Sequence, residues 1–429
     1  MVQKISYREL FNGIEVPVEL IDGQQVIPIN FDNGATTPPL KQVDKFISEN
    51  ILMYGSVGRG GHKSEYCTKA YELSKEEVLS FFGVTQLDEY DVIYVKNTTE
   101  GINLLANTLC DRNNYKILTS RMEHHANDLP WRNVGDVFYV DVDKQGKIDL
   151  EELEYMLERA MGTIKYVTIT AASNVTGYIT DVHQIAKIAH KYGAKLLVDG
   201  AQIVAHRPIH LKGQTKEEDI DGLTFSGHKM YAPFGSGVVI IKKELLKGKK
   251  PFLQGGGSVK AVFDYDVYYK DTWEAEEAGS PNFLGCMSIV AAMTVLKAIG
   301  LEKVAEHEDG LRKRLIKGLN SMKQIILYGD HREENRVGVV PFNVKDIHNK
   351  EVGRLLQEVR GIAVRTGCFC AHPYVMRLMG VTERERYYYL RHPELKSPGM
   401  IRVSFGLYNT EEEVDEFLDT LEFIINHYS

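Results

Sequence analysis

Short apolar runs alternate with segments of helical spacing over most of the chain. Runs that predict strands lie at residues 26–31, 92–95, 117–118, 137–142, 166–170, 195–199 and 224–225. Between them, apolar residues recur at helical spacing, which predicts helices at 40–52, 64–82, 150–161 and 181–192 and another ending at Leu109. This alternation of strands and helices favours a mainly parallel α/β sheet.

The pattern changes beyond residue 285. Helices predicted at 287–299 and 301–322 lead into strands at 325–327, 337–344, 362–365 and 400–405, with a helix at 351–359 and a closing amphipathic helix at 411–427. A chain of 429 residues is too long for one ordinary core. We predict an N-terminal segment (1–25) that packs with the small domain, a large cofactor-binding domain (26–285) and a small α+β C-terminal domain (286–429).

Composition narrows the class of protein. Hydrophobic residues make up 43%, charged residues 26%, and the formal net charge is -8. These values are typical of a soluble globular protein and argue against a nucleic-acid or membrane surface. The five cysteines are odd in number and scattered, which suits reduced thiols, and the first six residues lack the apolar core of a signal peptide. We therefore expect a cytoplasmic protein without a membrane span.

An acid and a lysine stand at the ends of two predicted strands. Asp199 ends a buried apolar run, and Lys229 follows a short turn after residues 224–225. This pair suits an aldehyde cofactor held as a Schiff base on the lysine, with its pyridine nitrogen paired to the acid. Either residue alone would be read as a solvated side chain.

Other polar residues also follow predicted strands, where ligands of open α/β sheets collect. Thr98 and Thr99 precede a helix whose N-terminal amides could bind a phosphate, although simple N-capping is an equal alternative. Ser226 and His228 flank the lysine and could reach the same phosphate. His124 could stack on a flat cofactor ring, and a buried structural histidine is the competing interpretation.

Together these motifs resemble the pyridoxal-phosphate enzymes of aminotransferase class V, and within them the SUF-type cysteine desulfurases and selenocysteine lyases. The resemblance covers residues 28–425 and rests on 98–103 (TTEGIN), 122–127 (MEHHAN), 173–177 (SNVTG), 199–202 (DGAQ), 226–229 (SGHK), 255–258 (GGGS), 277–282 (EAGSPN), 365–371 (RTGCFCA), 401–404 (IRVS) and 408–410 (YNT). It implies fold type I, with a mainly parallel seven-stranded sheet in the large domain and a smaller α+β C-terminal domain.

The resemblance assigns the cofactor contacts. Lys229 would be the Schiff-base lysine, Asp199 the partner of the pyridine nitrogen and Gln202 a contact of the ring hydroxyl. His124 would stack on the ring and relay protons. The phosphate would be held by Thr98, Thr99, Ser226 and His228, with Ser280 reaching the phosphate of a neighbouring subunit in a homodimer.

The resemblance also assigns the substrate side. Asn174 and Arg402 would orient the amino acid, and the Arg402 guanidinium would bind its carboxylate. Arg365 and Arg59 are further substrate-binding candidates. Cys370 corresponds to the sulfur-accepting cysteine, which must react as a thiolate favoured by nearby cations such as Arg365.

Cys368 lies two residues before Cys370, so in a strand the two side chains would share a face. A passive small residue is the favoured interpretation of Cys368, with persulfide resolution or disulfide regulation as the alternative. A Cys-x-Cys metal site is not expected without a second pair of ligands.

Three features depart from the family pattern. Gly58 stands where a histidine usually precedes the loop arginine, and Ala171–Ala172 replaces a pair that contains histidine. The segment between Cys370 and Arg402 is longer than in compact bacterial members. Its charged, tyrosine-rich portion (383–397) is predicted to be a surface excursion.

We predict a homodimeric pyridoxal-phosphate-dependent cysteine desulfurase that converts L-cysteine to L-alanine and leaves a persulfide on Cys370. A sulfur-acceptor protein is an expected partner, and selenocysteine or a related amino acid stays open as substrate. The alternative is a C–S lyase or amino-acid epimerase in which Cys370 accepts no sulfur. A non-catalytic scaffold for sulfur trafficking is a third hypothesis, but it would need none of Lys229, Asp199 and His124.

Overall fold

The computed structural model describes residues 6–85, 89–110, 115–143, 145–329 and 335–428. Residues 1–5, which belong to the predicted N-terminal segment and to the stretch considered as a leader, lie outside the described residues. The same holds for residue 429, the last of the predicted small domain.

The strands, in chain order, are β1 (Val18–Glu19), β2 (Gln25–Val26), β3 (Ile29–Asn30), β4 (Tyr90–Val95), β5 (Tyr115–Ser120), β6 (Gly135–Val140), β7 (Ile164–Thr170), β8 (Lys195–Asp199), β9 (Gly222–Ser226), β10 (Gly237–Lys242), β11 (Val259–Val262), β12 (Val267–Tyr269), β13 (Ile325–Leu327), β14 (Val339–Val344), β15 (Ile362–Ala363), β16 (Arg365–Gly367) and β17 (Met400–Ser404).

The α-helices are α1 (Lys41–Asn50), α2 (His62–Phe81), α3 (Thr98–Leu109), α4 (Leu129–Val134), α5 (Leu150–Arg159), α6 (Val182–Lys191), α7 (Lys243–Leu246), α8 (Trp273–Glu276), α9 (Phe283–Ile299), α10 (Leu301–Ser321), α11 (Asn349–Arg360), α12 (His372–Leu378), α13 (Glu383–Arg391) and α14 (Glu411–Tyr428). Within the described ranges, no single helix is long and apolar enough to span a membrane, and α9 with α10 meets that test only as a pair bent by 78°.

A seven-stranded sheet forms the centre of the larger half, in the order β4-β10-β9-β8-β7-β5-β6. The pairings from β9 through β6 are parallel, and β10 is antiparallel to both of its neighbours. This confirms the mainly parallel seven-stranded α/β sheet. Its central strands β8, β9 and β10 are buried along almost their whole length, as expected of a sheet that is covered on both faces.

The sheet topology gathers six strand ends at one edge. Since β4 and β9 are both antiparallel to β10, they are parallel to each other and to β8, β7, β5 and β6. The segments that follow the carboxyl ends of these strands therefore meet along one side of the sheet. This is the edge at which open α/β folds bind ligands.

The C-terminal part contains a four-stranded sheet in the order β13-β14-β17-β16, with α10, α11 and α14 packed nearby. Phe31, Phe342 and Phe417 meet edge to face in its core. From the predicted N-terminal segment, the Arg8 guanidinium pairs with Glu413 of α14. The domain boundaries at residues 25 and 285 remain a prediction.

Two strands predicted as continuous are each divided. The segment 26–31 breaks at Ile27–Pro28, because proline has no N–H for the ladder; β2 pairs with β1, and β3 pairs with β15. The segment 362–365 breaks at Val364, where the chain leaves β3 as its partner and joins β17. Strand β10 was not assigned from the sequence, although all six of its residues are buried.

Candidate active site

A cavity of about 220 Å³ lies at the carboxyl edge of the central sheet. It brings together most of the residues selected from the sequence, namely Thr98, Thr99, His124, Asn174, Asp199, Gln202, Ser226, His228, Lys229, Arg365, Cys370 and Arg402. The last residues of β8 and β9, together with the segments after β4, β5, β7, β8 and β9, supply the first nine of them. Strands β16 and β17 and the turn after β16 supply the last three.

Lys229 and Asp199 lie on the same cavity. Lys229 ends the short helical turn Gly227–Lys229 that follows β9. Burial lowers the pKa of Lys229 to about 8, with the charge of Asp199 opposing this shift and that of Arg402 reinforcing it. Part of the lysine population is therefore a neutral amine near physiological pH, which is the form that condenses with an aldehyde.

Asp199 is 3% exposed and ends β8. Its Oδ1 accepts a 2.9 Å hydrogen bond from the Ala201 amide. Burial raises the pKa of Asp199, whereas this hydrogen bond and the positive charge of Lys229 lower it. A buried carboxylate of this kind is well placed to pair with a protonated ring nitrogen.

The N-terminus of α3 forms one wall of the cavity. Asn97 caps the helix by accepting from the Glu100 amide, and the Thr98 amide donates to Ser226 Oγ at 2.8 Å. The hydroxyls of Thr98 and Ser226 lie 2.7 Å apart. In the part of the chain that the structure describes, the Thr99 amide has no hydrogen-bond acceptor. Open amides and hydroxyls at a helix N-terminus fit a phosphate group.

The His124 ring lines the cavity. Its Nδ1 accepts a hydrogen bond from the Ala126 amide at 3.0 Å, so the proton of the neutral ring is on Nε2. Burial, reinforced by Lys229, lowers its pKa to about 3, so the imidazole is neutral at physiological pH. A neutral ring is suited to stacking on a flat cofactor and to donating a hydrogen bond from Nε2.

Gln202 and His228 complete the wall of the cavity. Gln202 is buried and donates to the Gly34 carbonyl at 2.8 Å. His228 Nδ1 lies 3.2 Å from the Thr36 hydroxyl, and burial, with Lys229 adding to it, lowers the pKa of His228 to about 4. Both side chains are thus held by the loop that follows β3.

Arg402 is 3% exposed and lines the cavity. Its two terminal nitrogens donate to the Asn174 carbonyl at 2.9 Å and to Asp32 Oδ1 at 2.8 Å. Its Nε is buried without a partner among the described residues. Because each terminal nitrogen has a second hydrogen, the guanidinium can still bind a carboxylate while Asn174 and Asp32 fix its orientation.

Cys370 lies in a turn beyond β16 and not in a strand, so the predicted shared strand face with Cys368 is wrong. Phe369 and Cys370 have φ values of 50° and 54°, in the left-handed region that non-glycine residues rarely adopt. The Asn174 side chain donates to the Phe369 carbonyl, and the His125 amide donates to the Cys370 carbonyl, both at 2.7 Å. These two bonds hold the strained turn and leave the Cys370 thiol exposed.

Cys368 differs from its neighbour in its surroundings. It is partly buried, and its Sγ lies 3.7 Å from the Pro398 carbonyl. Burial raises the pKa of Cys368 to about 11, so it is a protonated thiol at neutral pH. Its chemistry is that of a poor nucleophile.

Two predicted site residues, Arg59 and Ser280, do not line this cavity. Arg59 is exposed on the glycine-rich loop before α2 and donates to the Gly58 carbonyl at 3.2 Å. Ser280 lines a separate cavity of about 190 Å³ beside Tyr71 and Glu277. The assignment of Ser280 to the phosphate of a neighbouring subunit remains a prediction.

Three residues of the site were not selected from the sequence. Asp32 pairs with Arg402, the Phe369 ring lies 5.1 Å from the same guanidinium, and Glu123 is buried beside His124. Glu123 accepts from Asn127 at 2.6 Å, and burial raises its pKa to about 8. An acid just after a strand was a usable signal for Asp32, whereas nothing in the pattern distinguishes Phe369.

The buried lysine and aspartate, with the hydroxyl-lined helix N-terminus at the carboxyl edge of a mainly parallel sheet, define a pyridoxal-phosphate enzyme of fold type I. In agreement, residues 29–417 match the family model for aminotransferase class V. The chain belongs to this family, whose members depend on pyridoxal phosphate.

Individual relatives are similar over almost the whole chain. A cysteine desulfurase of Escherichia coli O139:H28 (strain E24377A / ETEC) and one of Shigella sonnei (strain Ss046) are each 35% identical over an alignment of 381 residues, and each match covers 86% of this chain and 86% of the relative. Among solved structures, the apo cysteine desulfurase of Thermococcus onnurineus NA1 is 32% identical with a TM-score of 0.82 and covers 93% of this chain and 95% of its own. The cysteine desulfurase CsdA of Escherichia coli, in its S-sulfonic acid form, is 26% identical with a TM-score of 0.80 over 98% of each chain.

Proposed function

We propose that this protein is a cysteine desulfurase, which converts L-cysteine to L-alanine and retains the sulfur as a persulfide on Cys370. One observation carries the proposal: Lys229, Asp199, Arg402 and Cys370 line a single cavity. A cofactor-binding pair, a carboxylate-binding guanidinium and an exposed thiol are the groups that this reaction needs in one place.

The residues around the cavity fit pyridoxal phosphate. The open Thr99 amide and the hydroxyls of Thr98 and Ser226 would hold the phosphate, and Asp199 would face the ring nitrogen. When bound, this cofactor supplies an aldehyde that condenses with amines and a ring that takes up electrons from the substrate.

Lys229 and His124 supply the proton chemistry. With a pKa of about 8, the Lys229 amine is available in neutral form to accept the proton from the substrate α-carbon. His124, whose pKa of about 3 keeps it neutral, donates a hydrogen bond from Nε2 without adding a second positive charge. Burial thus supplies a base and a neutral donor on the same cavity.

Arg402 and Cys370 act on the two ends of the substrate. Arg402 binds the carboxylate, held in place by Asn174 and Asp32. The Cys370 thiolate attacks the substrate sulfur, so that an S–S bond forms as the C–S bond breaks. The electron pair of the broken bond stays with carbon, which takes up a proton to give alanine.

The test is the stoichiometry of alanine and persulfide. Purified holoprotein with L-cysteine and a thiol reductant is expected to form alanine and sulfide, and Lys229→Ala is expected to form neither. Cys370→Ala is expected to lose persulfide formation, with Cys368→Ala as the matched control that retains it. Alanine production that survives Cys370→Ala unchanged, or an absence of alanine from the wild type, would contradict the proposal.

We further propose a homodimer in which Arg59 and Ser280 serve the partner's cavity. Both residues lie away from the cavity of their own chain, and the β11–β12 hairpin exposes apolar side chains, including Tyr265 at 97% and Phe263 at 62%. Sedimentation analysis should give twice the chain mass. Mixed dimers of Lys229→Ala and Ser280→Ala chains should keep one intact site if the assignment holds and lose activity fully if Ser280 acts within its own chain.

The proposal also covers the cellular location of the enzyme and the protein that receives the sulfur. We expect a cytoplasmic enzyme, which suits free thiols, and a thiol-bearing protein that takes the persulfide sulfur from Cys370. The exposure of the Cys370 thiol at the cavity supports such a transfer. Radiolabelled sulfur on Cys370 should be lost on incubation with the correct acceptor and retained with a non-thiol protein.

A further inference from the structure

His125 contacts the turn that carries Cys370 at two points. Its backbone amide donates to the Cys370 carbonyl at 2.7 Å, and its imidazole Nε2 accepts from the His372 amide at 3.2 Å. The first bond ends on the residue that carries the thiol, and the second ends two residues further along the chain. One residue thus holds the chain at Cys370 and directly after it.

The His372 ring adds to the second contact. Its Nδ1 lies 3.2 Å from the same Nε2, and the two rings are nearly parallel, with an interplanar angle of 4° and centroids 4.9 Å apart. Since Nε2 accepts the His372 amide, the proton of the neutral His125 ring is on Nδ1, and His372 can donate from its own Nδ1. The amide and the ring of His372 therefore share one acceptor atom.

His125 must be neutral to accept these hydrogen bonds, because an imidazolium ion has no free lone pair. Burial lowers the pKa of His125, with the positive charges of His372 and Arg132 reinforcing this shift and the negative charge of Asp128 opposing it. Burial also lowers the pKa of His372. The acceptor is therefore present at neutral pH.

The Cys370 turn needs restraint from outside, because Phe369 and Cys370 both have left-handed backbone conformations. Such conformations persist only where the surrounding structure holds them. His125 belongs to the loop after β5 and directly follows His124, whose ring lines the cavity. Its contact with His372 therefore ties the Cys370 turn to the loop that carries His124.

We propose that His125 is a positioning residue for the reaction at Cys370, and that its imidazole acts through the His372 amide to fix the thiol against the substrate. This inference rests on the proposed function, because persulfide formation is the step that it serves. Displacement of a reacting group by about 1 Å can slow a step about a hundredfold, so one hydrogen bond at this turn is sufficient to affect the rate.

The test compares two reactions of the same thiol in the holoprotein. Single-turnover labelling of Cys370 by L-cysteine requires the thiol to meet the bound substrate, whereas alkylation by iodoacetamide requires only an exposed thiolate. The ratio of the two rates therefore reports the position of Cys370. A change in the folded fraction or in the ionisation of the thiol alters both rates and cancels in the ratio.

His125→Ala is expected to lower this ratio about tenfold, because the turn loses the bond that fixes the thiol. His125→Gln places an amide oxygen near the position of Nε2 and is expected to restore the ratio to within about threefold of wild type. If His125→Ala does not retain the visible absorbance of the cofactor, His125→Leu replaces it, because leucine fills the space of the ring without an acceptor.

His427→Ala is the matched control. His427 is exposed on α14, and its Nδ1 lies 2.8 Å from the Phe423 carbonyl, so this variant removes a ring-to-backbone contact away from the cavity lining. Its ratio is expected to equal that of wild type.

Hydrogen exchange of the peptide that spans residues 366–374 gives a second measurement, which needs no substrate. Exchange is expected to be faster in His125→Ala than in wild type, because the turn opens more often without its acceptor. His125→Gln and His427→Ala are expected to exchange as wild type does.

A wild-type ratio in His125→Ala, or in His125→Leu where that variant replaces it, would overturn the role of His125. The same conclusion would follow if His125→Gln were as slow as His125→Ala, or if none of the variants changed the exchange of the turn. The failure of the proposed function is a separate result, because it appears as the absence of persulfide on Cys370 in wild type and leaves the exchange measurement unaffected.

Discussion

The side-chain amide of Asn174 donates a 2.7 Å hydrogen bond to the backbone carbonyl of Phe369, the residue before Cys370. The backbone carbonyl of Asn174 accepts from Arg402 at 2.9 Å. One residue therefore holds both Arg402, which is proposed to bind the substrate carboxylate, and the turn that carries Cys370. The separation of these two groups is set within the chain and does not depend on the substrate.

Asn174→Ala is expected to slow persulfide formation on Cys370 about tenfold or more. The substitution leaves the buried Phe369 carbonyl without its donor, at a cost of about 1–3 kcal/mol, and releases a turn in left-handed conformation. Single-turnover labelling of Cys370 by L-cysteine measures the effect. Asn12→Ala, which removes an exposed hydrogen bond to Asp44, is the control and should be neutral. Equal rates in wild type and Asn174→Ala would show that the turn holds without this bond.

Loading of the cofactor is expected to accelerate with pH up to about 8. The pKa of Lys229 is lowered to about 8 because burial disfavours its charged form, so the neutral amine increases about tenfold per pH unit below that value. The negative charge of Asp199 opposes this lowering of the Lys229 pKa, and the positive charge of Arg402 reinforces it. The rate at which the apoprotein gains visible absorbance on addition of pyridoxal phosphate measures the dependence. A rate that climbs only above pH 10 would identify an ordinary lysine.

Glu123→Gln is expected to become progressively more stable than wild type as pH rises from about 4.5 to about 8. Burial raises the pKa of Glu123 to about 8, so the folded state holds a proton that the unfolded state releases over this range. The wild type therefore loses up to about 1.4 kcal/mol per pH unit across that window, and the amide variant does not. Urea unfolding at pH 5 and pH 8 measures the difference. A difference that is the same at both pH values would mean that Glu123 does not titrate there.

Alkylation is expected to distinguish Cys370 from Cys368. Cys370 is exposed, whereas burial raises the pKa of Cys368 to about 11 and keeps it protonated. With iodoacetamide at pH 7.5, about tenfold faster labelling of Cys370 is expected, because the thiolate is the reactive form. Peptide mass spectrometry over time measures both rates. Labelling of Cys368 at an equal rate would show that its thiol is neither shielded nor protonated in solution.

Local sequence patterns were sufficient for most of the fold and for the cofactor side of the site. Asp199 and Ser226 end strands whose apolar runs are visible in the sequence, and parallel pairing brings such ends to one edge. The motif resemblance then placed Thr98 and His124 on the same cavity, where the structure has them. These residues are fixed by elements close to them in the chain.

The remainder depends on contacts between distant segments. Asp32 and Arg402 are 370 residues apart, and no periodicity relates them. The turn at Cys370 was not predicted, because nothing in its composition reveals a left-handed backbone. The structure holds this conformation through hydrogen bonds from the Asn174 side chain and the His125 amide. Strand β10 was missed because a short apolar run is compatible with a buried helix segment as well as with a strand.

The reversed strand β10 separates β4 from β9, yet the Thr98 and Ser226 hydroxyls that follow those two strands are 2.7 Å apart. Two strand spacings amount to about 9.5 Å, so the segment after β4 must come across the first residue of β10, Gly237, to make this bond. The two hydroxyls and the Thr99 amide therefore lie together on the cavity that Lys229 also lines. A phosphorylated ring can be anchored there by its phosphate, whereas a ring compound without a phosphate lacks that anchor.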